Sequence, residues 1–147
     1  MTMGRIVVGI DGSAESRAAL AWAVEEAGYR RATVEVVHAW FLPAVAFAPY
    51  GAAAVPVLAP GDLEKAADAL LHDVIGEVVG DDRATVDAVL VEGHPADVLV
   101  TKAVGADLLV VGSRGHGGFA GLLLGSVSNH VVHHATCPVV VIRSTAS

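Results

Sequence analysis

The chain has 147 residues, 54% hydrophobic and 17% charged, which suits one domain with a buried core and excludes a disordered polymer. Its net charge is −7, and the nine basic residues are scattered from Arg5 to Arg143, so no basic stripe exists for a nucleic acid to track. The one cysteine, Cys137, excludes an intrachain disulfide and fits a reducing, cytoplasmic setting.

In chain order, Arg5–Ile10 reads as a buried strand, too short for a signal-peptide core and leading straight into Asp11. Ser13–Tyr29 reads as a helix, with Ser13 as N-cap and Glu15 near the positive end of the dipole. A second strand spans Thr33–Ala39; Glu35 inside it suggests a place nearer a sheet edge. From Ala39 to Pro60 there are 22 uncharged positions, long enough to cross a bilayer. Pro43, Pro49, Pro56 and Pro60 interrupt them, each costing a helix interior about 3 kcal/mol, so an apolar, proline-rich lid over Phe41–Pro60 is expected and no membrane span.

Asp62–Val79 repeats Leu63, Ala66, Ala67, Leu70, Leu71, Val74 and Ile75 at helical spacing. Then come a strand at Thr85–Val91 carrying Asp87, a helix at Pro95–Val104 opened by proline, a strand at Asp107–Gly112, a helix at Ser126–Ala135 and a strand at Pro138–Arg143. Strand and helix alternate throughout, which predicts one three-layer α/β domain over residues 1–147, built on a parallel sheet.

The most informative segment runs Val110-Val111-Gly112-Ser113-Arg114-Gly115-His116-Gly117-Gly118, with Gly121 and then Gly125-Ser126-Val127-Ser128. Glycines let the backbone approach a ligand and turn amides toward an anion. A helix opening at Ser126 adds unpaired amides and a positive dipole. Ser126 and Ser128 supply hydroxyls, and Arg114 a guanidinium able to fork onto phosphate. A Walker loop is excluded because the only lysines are Lys65 and Lys102. The dinucleotide pattern Gly115-x-Gly117-x-x-Ala120 lacks a helix opening there and an acidic residue after it.

Gly112-x-x-Gly115, nine residues and Gly125-Ser126 resemble the nucleotide signature of the universal stress protein family, G-x2-G-x9-G-(S/T). Ile6-Val7-Val8-Gly9-Ile10-Asp11-Gly12-Ser13, His38-Ala39, Val91-Glu92-Gly93-His94-Pro95 and Cys137–Ile142 extend the likeness over nearly the whole chain outside Phe41–Pro60. The resemblance implies a doubly wound, Rossmann-like sheet of strand order 3-2-1-4-5 binding ATP at the point where that order reverses. It implies that Gly9 and Ile10 line the base pocket, that the Ala39 backbone reads the adenine edge and that Asp11 meets the ribose or a phosphate-bound Mg²⁺. Gly112, Ser113, Arg114 and Gly115 would hold ribose and phosphates, and Gly125, Ser126, Val127 and Ser128 the distal phosphates. A homodimer paired along the last strand, an apolar sheet edge in this order, is implied as well.

His130, His133 and His134 share one helix, but the sequence offers no further ligand at metal spacing, so no directly bound metal is expected. G-x-S-x-G is absent and no activated nucleophile is found. The expected role is a nucleotide-dependent stress-response module; the alternative is a slow ATPase using Asp11 or His116.

Overall fold

A computed structural model of the chain describes residues 4–41, 60–81, 86–115 and 124–143. The elements are β1 (Arg5–Gly9), α1 (Ala14–Arg30), β2 (Thr33–Trp40), α2 (Pro60–Val78), β3 (Val86–Glu92), α3 (Pro95–Lys102), β4 (Leu108–Gly112), α4 (Ser126–His134) and β5 (Val139–Ile142). The five strands form one parallel sheet in the order β3-β2-β1-β4-β5. Thus β1 lies at the centre, with Val8 opposite both Val36 and Val110.

Side chains alternate across a strand, and here the alternation builds two cores. Ile6 and Val8 of β1, with Val34, Val36, Leu108 and Val110, face Leu20 and Ala23 of α1 and Leu71 and Val74 of α2. Val7, with Val37, Leu109 and Val111, faces Val98 and Leu99 of α3 and Val131 of α4. Ile6, Val7 and Val8 are fully buried, and each such side chain contributes about 1.5–3 kcal/mol. This is why the central strands read as unbroken apolar runs.

Glu35 and Asp87 suggest places nearer a sheet edge for their strands, and β3 is the edge with β2 next to it, flanked by β1 and β3. A carboxylate is accommodated in β2 because Arg5 Nη1 pairs with Glu35 at 3.2 Å. The same guanidinium donates to the carbonyls of Lys102 and Val104, tying together the amino ends of the strands. α2 begins at Pro60 rather than Asp62, since proline suits a first-turn position.

Among the described residues no helix is long and apolar enough to cross a membrane. Residues 42–59 of the expected lid lie outside the described residues, as do Thr85, His116, Gly117, Gly118 and Gly121.

Candidate functional site

The strand order reverses between β1 and β4, and the chain leaves both strands at the same edge of the sheet. A crevice is expected beyond the carboxyl ends of strands at such a point. It is a cleft of about 310 Å³, at the lower end of the range for small-molecule sites. Ile10, Val37, Ala39, Pro95, Leu99 and Val111 contribute its apolar lining, and Asp11, Ser16, Arg114 and the Gly125–Ser128 segment its polar lining.

One polar wall is the turn from β1 into α1. Gly12 takes φ +87°, a conformation open to glycine, and the chain folds back on itself there. Asp11 Oδ1 accepts the Ser13 amide at 2.9 Å, and Ser13 Oγ accepts the Ser16 amide at 3.2 Å, capping α1. Ser16 Oγ donates to Ser13 O at 3.0 Å. Arg17 donates to Gly12 O.

Beside this turn stands the loop after β4, docked by a residue of α1. Glu15 is buried, and its Oε2 accepts both the Ser113 hydroxyl at 2.5 Å and the Arg114 amide at 2.7 Å. Its Oε1 lies 3.2 Å from Arg114 Nη2. Burial pushes the Glu15 carboxyl upward. The Ser113 hydrogen bond, the Arg114 amide and the Arg114 guanidinium together outweigh it and hold the group below its ordinary value. Gly112 makes this docking possible, because a Cβ there would stand 2.9 Å from the Glu15 carbonyl carbon. Gly115 faces the Asp11 carboxylate, which any Cβ would strike.

The third component is the start of α4. Gly125 is its N-cap, no side chain caps it, and its first turn carries no acidic residue. The first intrahelical bond runs from Asn129 N to Gly125 O at 2.9 Å, so the amides of Ser126, Val127 and Ser128 have no partner within the helix. Gly125 N donates to Ser113 O at 2.6 Å, which holds this helix end against the loop after β4. The Ser128 hydroxyl donates to the same carbonyl at 2.7 Å and is buried, so its proton fastens the loop rather than facing a ligand.

The expected residues Gly9, Ile10, Asp11, Ala39, Gly112, Arg114, Gly115, Gly125, Ser126, Val127 and Ser128 all line this one cleft. Ser113 does not; its side chain turns behind the wall to Glu15. Sequence reasoning overlooked Ser16, Val37, Pro95, Leu99 and Val111 as lining residues, and Glu15 as the partner of the loop. The Ser-x-x-Ser spacing of Ser13 and Ser16 was a usable signal for the first; nothing local signals Leu99 or the reach of Glu15 to Arg114.

Among the histidines, His38 Nδ1 lies 2.9 Å from Ile10 O, and the His94 ring stands 4.5 Å from that of Phe41. His130 finds Asp97 at 3.6 Å across from α3, a carboxylate the sequence spacing did not reveal. Among the described residues no group of three or more His, Cys, Asp or Glu could hold a metal ion.

Comparison with known proteins gives a consistent picture. Residues 3–143 match the model of the universal stress protein family. A universal stress protein of Mycobacterium tuberculosis is 38% identical over 141 residues, covering 95% of this chain and 45% of that protein. The chain therefore spans about half the length of the curated relatives it matches. Among solved structures, a universal stress protein in complex with cAMP superposes with a TM-score of 0.67 at 28% identity, covering 97% of this chain and 98% of that one. The universal stress protein of Archaeoglobus fulgidus in complex with dAMP gives a TM-score of 0.67 at 26% identity, covering 97% and 99%.

Proposed function

Because this chain belongs to the universal stress protein family, we propose that it binds an adenine nucleotide, ATP with Mg²⁺, as a nucleotide-dependent regulatory module of the stress response. One observation carries the reading. The uncapped start of α4, whose Ser126, Val127 and Ser128 amides have no partner within the helix, lines the same cleft as Asp11, Arg114 and the glycines of the loop after β4. Two neighbours of the same fold, solved with cAMP and dAMP, support an adenine nucleotide as the ligand class.

The residues fit such a ligand. The apolar lining from Ile10, Val37, Ala39 and Leu99 suits a purine ring, and the amides of Ser126, Val127 and Ser128 suit phosphate oxygens. Asp11 is the carboxylate among the lining residues and would meet the Mg²⁺ that accompanies the phosphates. The ion would offset the charge of the phosphate tail. Arg114 would hold phosphate through the guanidinium nitrogens that Glu15 does not engage.

Binding would fix the loop after β4 and the start of α4 together, changing the surface shown to partners. The chain would act in the cytoplasm as a homodimer joined along β5, whose apolar residues Val139–Ile142 form an open edge of the sheet.

Calorimetry with ATP and Mg²⁺ tests the proposal. The wild type should show saturable uptake, and Gly115→Glu, which drives a side chain into Asp11, should abolish it while keeping a cooperative thermal transition. No uptake of any adenylate by the wild type would overturn the reading. Steady phosphate release lost in Asp11→Ala, with binding retained, would favour the ATPase alternative.

A further inference from the structure

Behind the phosphate-facing wall sits a buried acid that the nucleotide reading does not use. Glu15 is not among the residues lining the cleft, yet it contacts the loop that is, through the Ser113 hydroxyl, the Arg114 amide and the Arg114 guanidinium. Among the described lining residues Arg114 is the one with a cationic side chain and Asp11 the one with a carboxylate. With Glu15 counted, the guanidinium that lines the cleft already faces a buried carboxylate and Asp11 adds a second acid, while Arg17, which reaches the turn at Gly12, is shared with Glu77. The cleft thus attracts phosphate through backbone amides and a helix dipole, and opposes surplus negative charge through its acids.

We propose that Glu15 is a specificity-determining residue that offsets Arg114, so that the cleft accepts a single phosphate or a cation-paired tail and disfavours a bare polyphosphate. The inference rests on the nucleotide reading above. The α4 amides are the same in wild type and in a Glu15 variant, so a change in the AMP-to-ATP ratio between the two reads the side-chain charge and not the amides. Each further phosphate brings negative charge to a site whose guanidinium is already paired. The penalty therefore grows with ligand charge. Interactions over several ångströms in a partly solvated cleft, summed over the two extra charges of free ATP, correspond to about tenfold in affinity. The carboxyl is held ionised by its three donors, which keeps this bias in place at neutral pH.

Glu15→Gln is the informative change, because an amide oxygen can still accept from Ser113 and from the Arg114 amide. A mere loosening of the loop would weaken all adenylates in the same proportion, whereas loss of the charge changes their ratio. The dissociation constants of AMP and ATP are measured by calorimetry at fixed ionic strength, in EDTA and in Mg²⁺, for wild type and Glu15→Gln. The wild type should prefer AMP to ATP in EDTA and lose that preference in Mg²⁺. Glu15→Gln should shift the EDTA ratio toward ATP by about tenfold. A wild type that binds ATP more tightly than AMP in EDTA overturns the proposal even if the variant does not fold. So does an unchanged ratio in a folded variant, and both results leave nucleotide binding itself intact. No binding of any adenylate by the wild type overturns this inference together with the functional reading.

Discussion

α1 and α4 both start at the carboxyl edge of the sheet and both border the cleft, yet their first amides are treated differently. At α1, Ser13 Oγ takes the Ser16 amide, Asp11 takes the Ser13 amide, and Glu15 adds a negative charge in the first turn. At α4, the N-cap is a glycine, no side chain accepts an amide, and no acid occupies the first turn. A glycine N-cap forgoes only about a few tenths of a kcal/mol relative to a Ser or Asp cap, so the bare end costs the fold little. A chain that caps one helix with care and leaves its neighbour across the cleft bare is not short of capping residues. The bare end is the one available to an external anion.

Capping α4 artificially breaks this contrast, with the largest effect expected. Ser126→Asp places a carboxylate in the first turn, at an exposed position where the fold has room for it. Thermal stability should rise slightly, by about 0.3–1 kcal/mol, because the acid complements the dipole. Affinity for ATP with Mg²⁺ should fall at least about tenfold, because the same carboxylate repels the phosphates. Calorimetry and thermal melting on one preparation read both. A variant that gains stability and keeps its affinity would remove α4 from the binding site.

Removing the cap of α1 is the complementary experiment, with a smaller effect. Ser13→Ala deletes the acceptor for the Ser16 amide and should cost about 1 kcal/mol in stability. Nucleotide affinity should stay within about twofold, since Ser13 itself does not line the cleft and the α4 amides are untouched. Loss of affinity in step with stability would show that the two helix ends are not functionally distinct.

The contrast was partly legible in the sequence. Ser13 followed by Glu15 marks a self-capped helix, and Gly125-Ser126 after a glycine cluster marks a bare one. The buried strands were legible too, because Ile6–Val8 and Leu108–Val111 are apolar on both faces and only a sheet covered on both sides requires that. Glu35 marked β2 as nearer an edge, and β2 is next to the edge strand; its partner Arg5 was not legible, because it lies 30 residues away and no local pattern pairs them. Glu15 was read correctly as a first-turn acid, but not as the anchor of Ser113 and Arg114, 98 and 99 residues away. Such contacts follow from the reversal of strand order that brings α1 beside β4. They become visible only once the topology is known.

The smallest effect concerns that long-range anchor, and it appears as a slope in pH. The folded state holds the Glu15 carboxyl below its ordinary value of 4.5, so the folded protein releases this proton more readily than the unfolded chain. The stabilisation is therefore complete above that value and is lost as pH falls through the lower, folded one. Glu15→Gln has no such proton to bind. Melting temperatures followed from neutral pH downward should show wild type above the variant, with the gap narrowing once pH drops below 4.5. Other carboxylates titrate in the same window, but they are common to both proteins and cancel in the difference. Parallel curves would mean that the carboxylate gains nothing from its three donors. α1 would then be joined to the loop after β4 by packing at Gly112 alone, and the cleft would lack the charge offset assigned to Glu15.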